Sequence, residues 1–245
     1  MTSLKDKYIE ADWPVSNKVR AVSTTRIDGF SGAPFARNNL SDYVGDDLTM
    51  VEQNRRVLAE ELKLPTAPVW LQQIHSTKLV ELPTSYKQLP FDGAFTSNVG
   101  VVCSVLTADC LPVLFVDEKE SWVAAAHAGW RGLNDGILLN TVGRYPGQPS
   151  QLKAWLGPAI SKRYYEVGGE VRQHFLKTNK QWAEFFIPIK DKFMLDLAGV
   201  ARQQLESLGL QVFGDNYCTY GDKHRFYSYR RDGKTGRTAS LIWLS

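Results

Sequence analysis

Two apolar runs, Val101-Val102-Cys103-Ser104-Val105-Leu106 and Leu111-Pro112-Val113-Leu114-Phe115-Val116, bracket the polar insert Thr107-Ala108-Asp109-Cys110. Each run is short, continuous and rich in β-branched residues, as strands buried on both faces are. A pair of buried strands commits the chain to a sheet-based core, and the insert interrupts it without helping the core. Conflicts between pattern and residue of this kind mark functional positions. Two histidines stand at similar interruptions: His75 in Gln72-Gln73-Ile74-His75, and His127 in Ala126-His127-Ala128-Gly129-Trp130-Arg131-Gly132.

With 245 residues, 43% of them apolar, the chain can bury one large core or two modest ones. It carries no evident repeat, low-complexity tract or linker, so a single domain over 1–245 is the simpler expectation. No stretch approaches the roughly 20 apolar residues of a membrane span. Met1-Thr2-Ser3-Leu4-Lys5-Asp6-Lys7 lacks the apolar centre of a secretory signal, so a cytoplasmic protein is expected. Three cysteines argue for reduced thiols over a disulfide framework, with Cys103 and Cys218 packed. The net charge of +3 is interspersed along the chain, which disfavours nucleic acid as a partner. A local exception is Tyr227-Ser228-Tyr229-Arg230-Arg231-Asp232, either a solvated strand end or a binder of a small anion.

Turn signals at Asp28-Gly29, Ser31-Gly32, Pro146-Gly147 and Asp232-Gly233 separate the predicted elements. Helical spacing of apolar residues predicts helices over 50–62, 169–178 and 195–208. Strands are predicted over 19–25, 69–73, 101–106, 113–116, 122–126, 153–156, 226–229 and 241–244. Helices punctuating many strands give an α/β or mixed α+β class with mixed strand directions. A further helix is predicted through Leu133-Asn134-Asp135-Gly136-Ile137-Leu138-Leu139, which places His127 at a strand-to-helix junction among small residues that leave room for a ligand or another backbone. If that helix starts near Gly132, its free amides and Arg131 make a place for phosphate or carboxylate. The alternative is a glycine turn with Arg131 on the surface.

Two imidazoles and a thiolate suit a tetrahedral zinc site whose fourth position stays open for water or substrate. The spacings, 35 residues from His75 to Cys110 and 17 from Cys110 to His127, match no zinc-finger pattern, so the fold must bring the donors together. The same residues allow a metal-free reading: Cys110 as nucleophile, His75 or His127 as base, and Asp109 or Asp92 orienting the imidazole. His2Cys is also a blue-copper ligand set. Four histidines, however, are too few for the added imidazole-rich sites of a multicopper oxidase, and His174 and His224 read as surface residues.

Thr24-Thr25-Arg26 with Gly29 and Ser31, Asn39-Leu40, Gly45-Asp46, Asn54-Arg55, Trp70-Leu71-Gln72-Gln73-Ile74-His75, Thr107-Ala108-Asp109-Cys110-Leu111-Pro112, His127-Ala128-Gly129-Trp130-Arg131-Gly132, Gly157-Pro158-Ala159-Ile160 and Tyr229-Arg230-Arg231 resemble, nearly end to end, the YfiH family. Its names include laccase-domain protein, polyphenol oxidase and peptidoglycan editing factor. The resemblance implies a four-layer α/β/β/α sandwich with mixed sheets, related to proteins grouped as cysteine hydrolases. It also implies zinc bound through His75, Cys110 and His127. The implied activity is phosphorolysis of adenosine, inosine and methylthioadenosine, with adenosine deamination beside it. An older assignment is copper-dependent phenol oxidation, and some bacterial members are linked to removal of serine-containing peptidoglycan precursors. The family usually has glycine where this chain has Ser76, a departure that bears on substrate preference.

For deamination, zinc would activate water, and Asp109 is the first proton carrier to test, with Asp92 second. For phosphorolysis, Arg131 is the leading phosphate ligand, followed by Arg26, Arg55 and Arg230. Gln73 either orients His75, touches substrate or points outward. Trp130, Phe35 and Tyr229 either stack on a purine or belong to the core. Glu166 and Asp196 lie in family-like motifs without an assigned role. The expected partners are purine nucleosides and phosphate, with a peptidoglycan precursor as the alternative, and the expected state is a monomer.

Overall fold

In the computed structural model, which describes residues 3–86 and 89–245, the two apolar runs around the polar insert are strands of different sheets. In chain order the strands are β1 (Tyr8–Glu10), β2 (Val19–Thr24), β3 (Leu79–Glu81), β4 (Gly93–Thr96), β5 (Cys103–Thr107), β6 (Leu111–Asp117) and β7 (Val123–Ala128). They continue with β8 (Leu152–Leu156), β9 (Glu166–Val167), β10 (Phe186–Ile189), β11 (Lys192–Leu195), β12 (Gln211–Gly214) and β13 (Thr238–Leu244). The helices are α1 (Leu4–Lys7), α2 (Leu48–Leu62), α3 (Trp130–Asp135), α4 (Ile137–Val142), α5 (Gly169–Thr178), α6 (Leu197–Glu206) and α7 (Tyr229–Asp232).

A four-stranded sheet runs β1-β2-β13-β5 and a six-stranded sheet β12-β8-β6-β7-β4-β3; a small sheet, β10-β11-β9, joins the core of the larger one through Val167, Phe186 and Leu195. β12 with β8 and β3 with β4 are parallel pairs, whereas β6 is antiparallel to both β7 and β8. Side chains alternate between faces with the period of a strand. Leu114, Val116, Val123, Ala125 and Trp155 of the larger sheet therefore pack against Ala21, Cys103, Val105 and Ile242 of the smaller one. On the far side of the larger sheet, Val113, Phe115, Ala124 and Ala126 meet Leu133 and Ile137, then Phe175 and Val200. On the far side of the smaller sheet, Val22, Leu106, Leu241 and Trp243 meet Leu58 of α2. The layers are helix, sheet, sheet, helices: the α/β/β/α sandwich that the resemblance implied.

Several predicted elements differ from the structure, each for a local reason. Residues 69–73 form no strand, although they run beside β5, the free edge of the smaller sheet. The Gln73 side chain replaces strand pairing there: its Nε2 donates to the Leu106 carbonyl at 2.7 Å and its Oε1 accepts from the Leu106 amide at 2.7 Å. Residues 226–229 are buried loop and helix start, fixed by Tyr227 Oη donating to the Phe35 carbonyl and by Arg231 donating to the carbonyls of Thr219, Tyr220 and Phe226. The helix after His127 begins at Trp130 and breaks at Gly136, whose φ of 99° lies in the left-handed region. The helix predicted over 195–208 starts at Leu197, because Asp196 caps it by accepting the Gly199 amide at 2.9 Å. Among the described residues no helix is long and apolar enough to cross a membrane.

Leu114 is fully buried between the two sheets. Leu114→Ala should lower unfolding free energy by about 2–5 kcal/mol in urea titrations. A loss below about 1 kcal/mol would contradict a packed layer at that position.

Candidate metal centre

The polar insert is where the chain leaves one sheet and enters the other, and this crossover carries Cys110. Asp109 takes a φ of 90° there. Its Oδ1 accepts from Thr219 Oγ1 at 2.7 Å; its Oδ2 accepts from Ser228 Oγ at 3.0 Å and the Arg230 amide at 2.6 Å. The insert is thereby clamped to two later loops. His127 is on β7, on the face that carries Val123 and Ala125 into the intersheet layer, and is 3% exposed. His75 is on the irregular segment before β3.

Donor atoms of His75, Cys110 and His127 lie within 4.8 Å of one another. Cys110 Sγ is 3.8 Å from His75 Nε2, and the two imidazoles meet edge to face with centroids 4.8 Å apart. Gly129 permits this approach, since a Cβ there would stand 2.7 Å from His75 Cδ2 and 3.2 Å from Cys110 Sγ. Of the small residues around His127, Gly129 makes room for the other two donors. Gly132 serves packing as well, because a Cβ there would lie 3.0 Å from the Ser76 carbonyl oxygen.

Behind the donors stands Asp92, fully buried at the foot of β4. Its Oδ1 accepts from the His75 amide and from His127 Nδ1, both at 2.9 Å. Its Oδ2 accepts from the amides of Ile74 (3.3 Å) and Ser76 (2.6 Å) and from Ser76 Oγ (2.7 Å). An ionised carboxylate only accepts, so His127 carries its proton on Nδ1 and presents Nε2 to the centre. Wrapping three successive amides around one carboxylate puts His75 at a φ of 60°. That conformation costs roughly 1–2 kcal/mol and persists where the surroundings over-determine it. The Ser76 hydroxyl, absent from a glycine, adds a donor to this cradle.

Electrostatics follow from the same contacts. Burial pushes the Asp92 carboxyl up, but hydrogen bonds from His127 and Ser76 reverse the sign and hold it below its ordinary value. Desolvation likewise opposes the Cys110 thiolate, yet His127 and then His75 outweigh it and bring the thiol down to about 6. Desolvation of His127 favours its neutral form, and Cys110 and Asp92 together raise it. Cys103, by contrast, is fully buried and its thiol is pushed up. Cys218 is packed against the amides of Ser161 and Gly221, both 3.4 Å from its sulfur.

The centre opens into a cavity of about 400 Å³ lined by Tyr43, Gln73, Leu106, Thr107, Ala108, Tyr229 and Arg237 as well as the three donors. The cations singled out in sequence are not among the lining residues. Arg26 donates through Nε and Nη2 to the Ala36 carbonyl, and Arg55 does the same to the Leu40 carbonyl. Arg230 donates to the Glu166 carbonyl at 2.6 Å. Arg131 is exposed and stacks on Trp130 at 4.3 Å. Glu166 pairs with Lys192, and Asp196 pairs with Lys162 besides capping α6. Phe35 is core at 4% exposure, and His174 and His224 are exposed. Tyr43 and Arg237 escaped the sequence reading because neither interrupts an apolar pattern.

In an Asp92→Asn variant, either orientation of the new amide would turn its NH2 toward donors that now face a carboxylate oxygen. The substitution should therefore cost about 2–4 kcal/mol of stability and weaken metal binding about 10–100-fold. Because the native carboxyl is held low, its stabilising share is present above about pH 4 and is lost as pH falls through the lowered value, so parent and variant should converge in acid. Denaturation at several pH values and competition with a chelator measure both effects; parent-like midpoints and affinity would contradict the assignment.

A family model described as multi-copper polyphenol oxidoreductase laccase matches residues 20–245. Purine nucleoside phosphorylase YfiH of Escherichia coli (strain K12) is 45% identical over 240 residues, covering 97% of this chain and 99% of that relative. A purine nucleoside phosphorylase of Haemophilus influenzae is 43% identical over 240 residues, covering 96% and 98%. Among solved structures, Neisseria meningitidis protein NMB0706 matches with a TM-score of 0.92 at 41% identity, covering 98% of this chain and 99% of that one. Bacillus licheniformis hypothetical protein YfiH matches with a TM-score of 0.89 at 32% identity, covering 94% of each chain. By sequence and by fold, the chain belongs to the YfiH family, whose family model carries the laccase description.

Proposed function

We propose that this chain is a zinc-dependent purine nucleoside phosphorylase, converting adenosine, inosine and methylthioadenosine to free base and ribose 1-phosphate, with adenosine deaminase activity at the same centre. The observation that carries the reading is 45% identity over 97% of the chain to a relative named for that activity. The donor set fits the metal. Tetrahedral zinc, with Zn–S near 2.3 Å and Zn–N near 2.0–2.1 Å, separates sulfur from nitrogen by about 3.6 Å. Cys110 Sγ and His75 Nε2 stand 3.8 Å apart. His75, Cys110 and His127 would hold the ion, and the Cys110 thiol is already inclined to ionise. When bound, zinc supplies Lewis acidity and acidifies water, the chemistry that deamination at C6 of a purine needs. Copper suits the same three donors. A multicopper oxidase would need more, and among the described residues this is the single His/Cys/Asp/Glu cluster with metal-binding spacing.

The remaining residues bind and orient. At about 400 Å³ the cavity suits a small ligand, since such pockets run from roughly 300 to 1,000 Å³. Tyr43 and Tyr229, 49% and 62% exposed, offer ring faces to a purine at its mouth. Asp92 fixes the His127 tautomer and Asp109 fixes the loop beside Cys110; with their oxygens engaged, both act as positioning residues. In phosphorolysis a phosphate oxygen bonds to C1′ while the C1′–N9 bond breaks with its electron pair on the base, and the proton of hydrogenphosphate ends on the base.

A second reading has one observation in its favour: Cys110, His127 and Asp92 line up as thiol, imidazole and carboxylate. That is the constellation of a cysteine hydrolase, which would act on an amide of a serine-containing peptidoglycan precursor. It predicts amide hydrolysis that survives chelation and is abolished by thiol alkylation.

Zinc-loaded protein should release hypoxanthine from inosine only when phosphate is present. His75→Ala, Cys110→Ala and His127→Ala should each lose the metal and at least about 100-fold in turnover. Liquid chromatography of the products with metal analysis of each variant checks this. No turnover of any purine nucleoside by the loaded parent would contradict the reading.

A further inference from the structure

Beside the metal-centre cavity lies a second cleft of about 360 Å³, which shares Tyr43, Tyr229 and Arg237 with it and adds Lys234 and Thr235. The loop that builds it, Gly233-Lys234-Thr235-Gly236-Arg237, connects α7 to β13. Its closure is held from below. The Arg237 amide donates to Asn39 Oδ1 at 2.9 Å, and Arg237 Nη1 donates to the carbonyls of Thr235 (2.9 Å) and Gly236 (3.0 Å). Gly236 lies against the Tyr227 ring, where a Cβ would come within 2.7 Å of Cζ.

This loop has donors without acceptors. Among the described residues, the amides of Lys234, Thr235 and Gly236 donate to no protein group. Thr235 is 2% exposed, and its hydroxyl is buried without a hydrogen-bond partner. Leaving such a group unpaired costs about 1–3 kcal/mol, so one is retained where something else completes it. Neither Lys234 nor Arg237 has a carboxylate within 4.0 Å among the described residues. The acids of the facing loop are engaged elsewhere, Asp42 by Arg55 and Asp46 by Asn39. Two cations without carboxylate partners, Lys234 over the Phe35 ring at 5.3 Å and Arg237, line one cleft with the Thr235 hydroxyl and the residues of two free amides, Lys234 and Thr235, and that is the chemistry that binds a tetrahedral oxyanion.

We infer that the cleft formed by Lys234, Thr235 and Arg237 is a phosphate subsite opening onto the metal-centre cavity. The Lys234 ammonium and the Arg237 guanidinium neutralise the dianion, and the loop amides and Thr235 hydroxyl hold its oxygens. Its existence stands on the loop alone; its role, delivering phosphate to a nucleoside in the adjoining cavity, rests on the phosphorolysis reading. This set differs from Arg131, Arg26, Arg55 and Arg230, none of which lines either cavity.

Inorganic phosphate is titrated calorimetrically into the purified parent, zinc-loaded and after chelation, and into Lys234→Ala, Arg237→Ala and Thr235→Val. The expected result is binding that survives chelation, weakens about ten-fold or more in the Lys234 and Arg237 variants, and weakens several-fold in the isosteric Thr235 variant. In steady-state assays the KM for phosphate rises by a similar factor in each variant, while the KM for inosine stays within about two-fold in Lys234→Ala and Thr235→Val, whose side chains do not line the metal-centre cavity. Parent protein that does not bind phosphate, binding that vanishes with the metal, or Lys234→Ala and Arg237→Ala binding as the parent does would each overturn the subsite. Phosphate binding at this loop without phosphorolysis would sink the proposed function and leave the subsite standing. Phosphorolysis with an unmoved phosphate KM in all three variants would do the reverse.

Discussion

One buried carboxylate organises the centre. Asp92 is fully excluded from solvent, and an isolated charge in that position would cost several kcal/mol. Five donors compensate it, drawn from the 74–76 segment and from His127. Its own carbonyl also accepts the His127 amide at 2.7 Å, so the residue ties segment and strand together twice. Two of the three candidate ligands are therefore placed by one side chain: His75 through its backbone and His127 through its ring. The third, Cys110, arrives because the chain changes sheets beside it. A metal held here would be bound by donors that were ordered before it came.

The sandwich explains why the site lies at its end. β5 and β6 belong to opposite sheets, so the residues between them cross the gap and cannot take part in either ladder. Their polar groups need other partners, and Asp109 finds them in Thr219, Ser228 and Arg230. The same contacts draw the C-terminal loops over the mouth of the cavity, bringing Tyr229 and Arg237 to a centre far from them in sequence. Gly129 lets His75 and Cys110 approach His127 without widening the gap.

Much of the fold was legible because apolar runs and helical spacing are local signals. β6 and β7 read as buried strands, and the helix over 169–178 has the predicted bounds. Segments whose hydrogen bonds come from side chains were misread as strands: 69–73, where Gln73 substitutes for a ladder, and 226–229, where Tyr227 and Arg231 hold a buried loop. Strands with weak patterns escaped notice, among them β4, a four-residue strand that opens on Gly93, and β10, which carries Pro188 and exposes Ile187 and Ile189. At the site, His75, Cys110 and His127 were legible as polar residues breaking apolar pattern. Asp92 was legible only as one of two carboxylates, since its donors are mostly backbone amides that no sequence pattern reveals. Lys234, Thr235 and Arg237 were illegible, because their environment arises when the loop before β13 closes on Asn39 and Tyr43.

Ordered donors, a thiol inclined to ionise, and two adjoining cavities flanked by aromatic rings and by cations without carboxylate partners meet at this end of the sandwich. The central claim is that His75, Cys110 and His127 share a single ion. X-ray absorption at the zinc edge of the loaded protein tests it directly. The account predicts one sulfur at about 2.3 Å and two imidazole nitrogens at about 2.0–2.1 Å, with the sulfur shell lost in Cys110→Ala. A shell without sulfur in the parent, or one unchanged by that substitution, would contradict it.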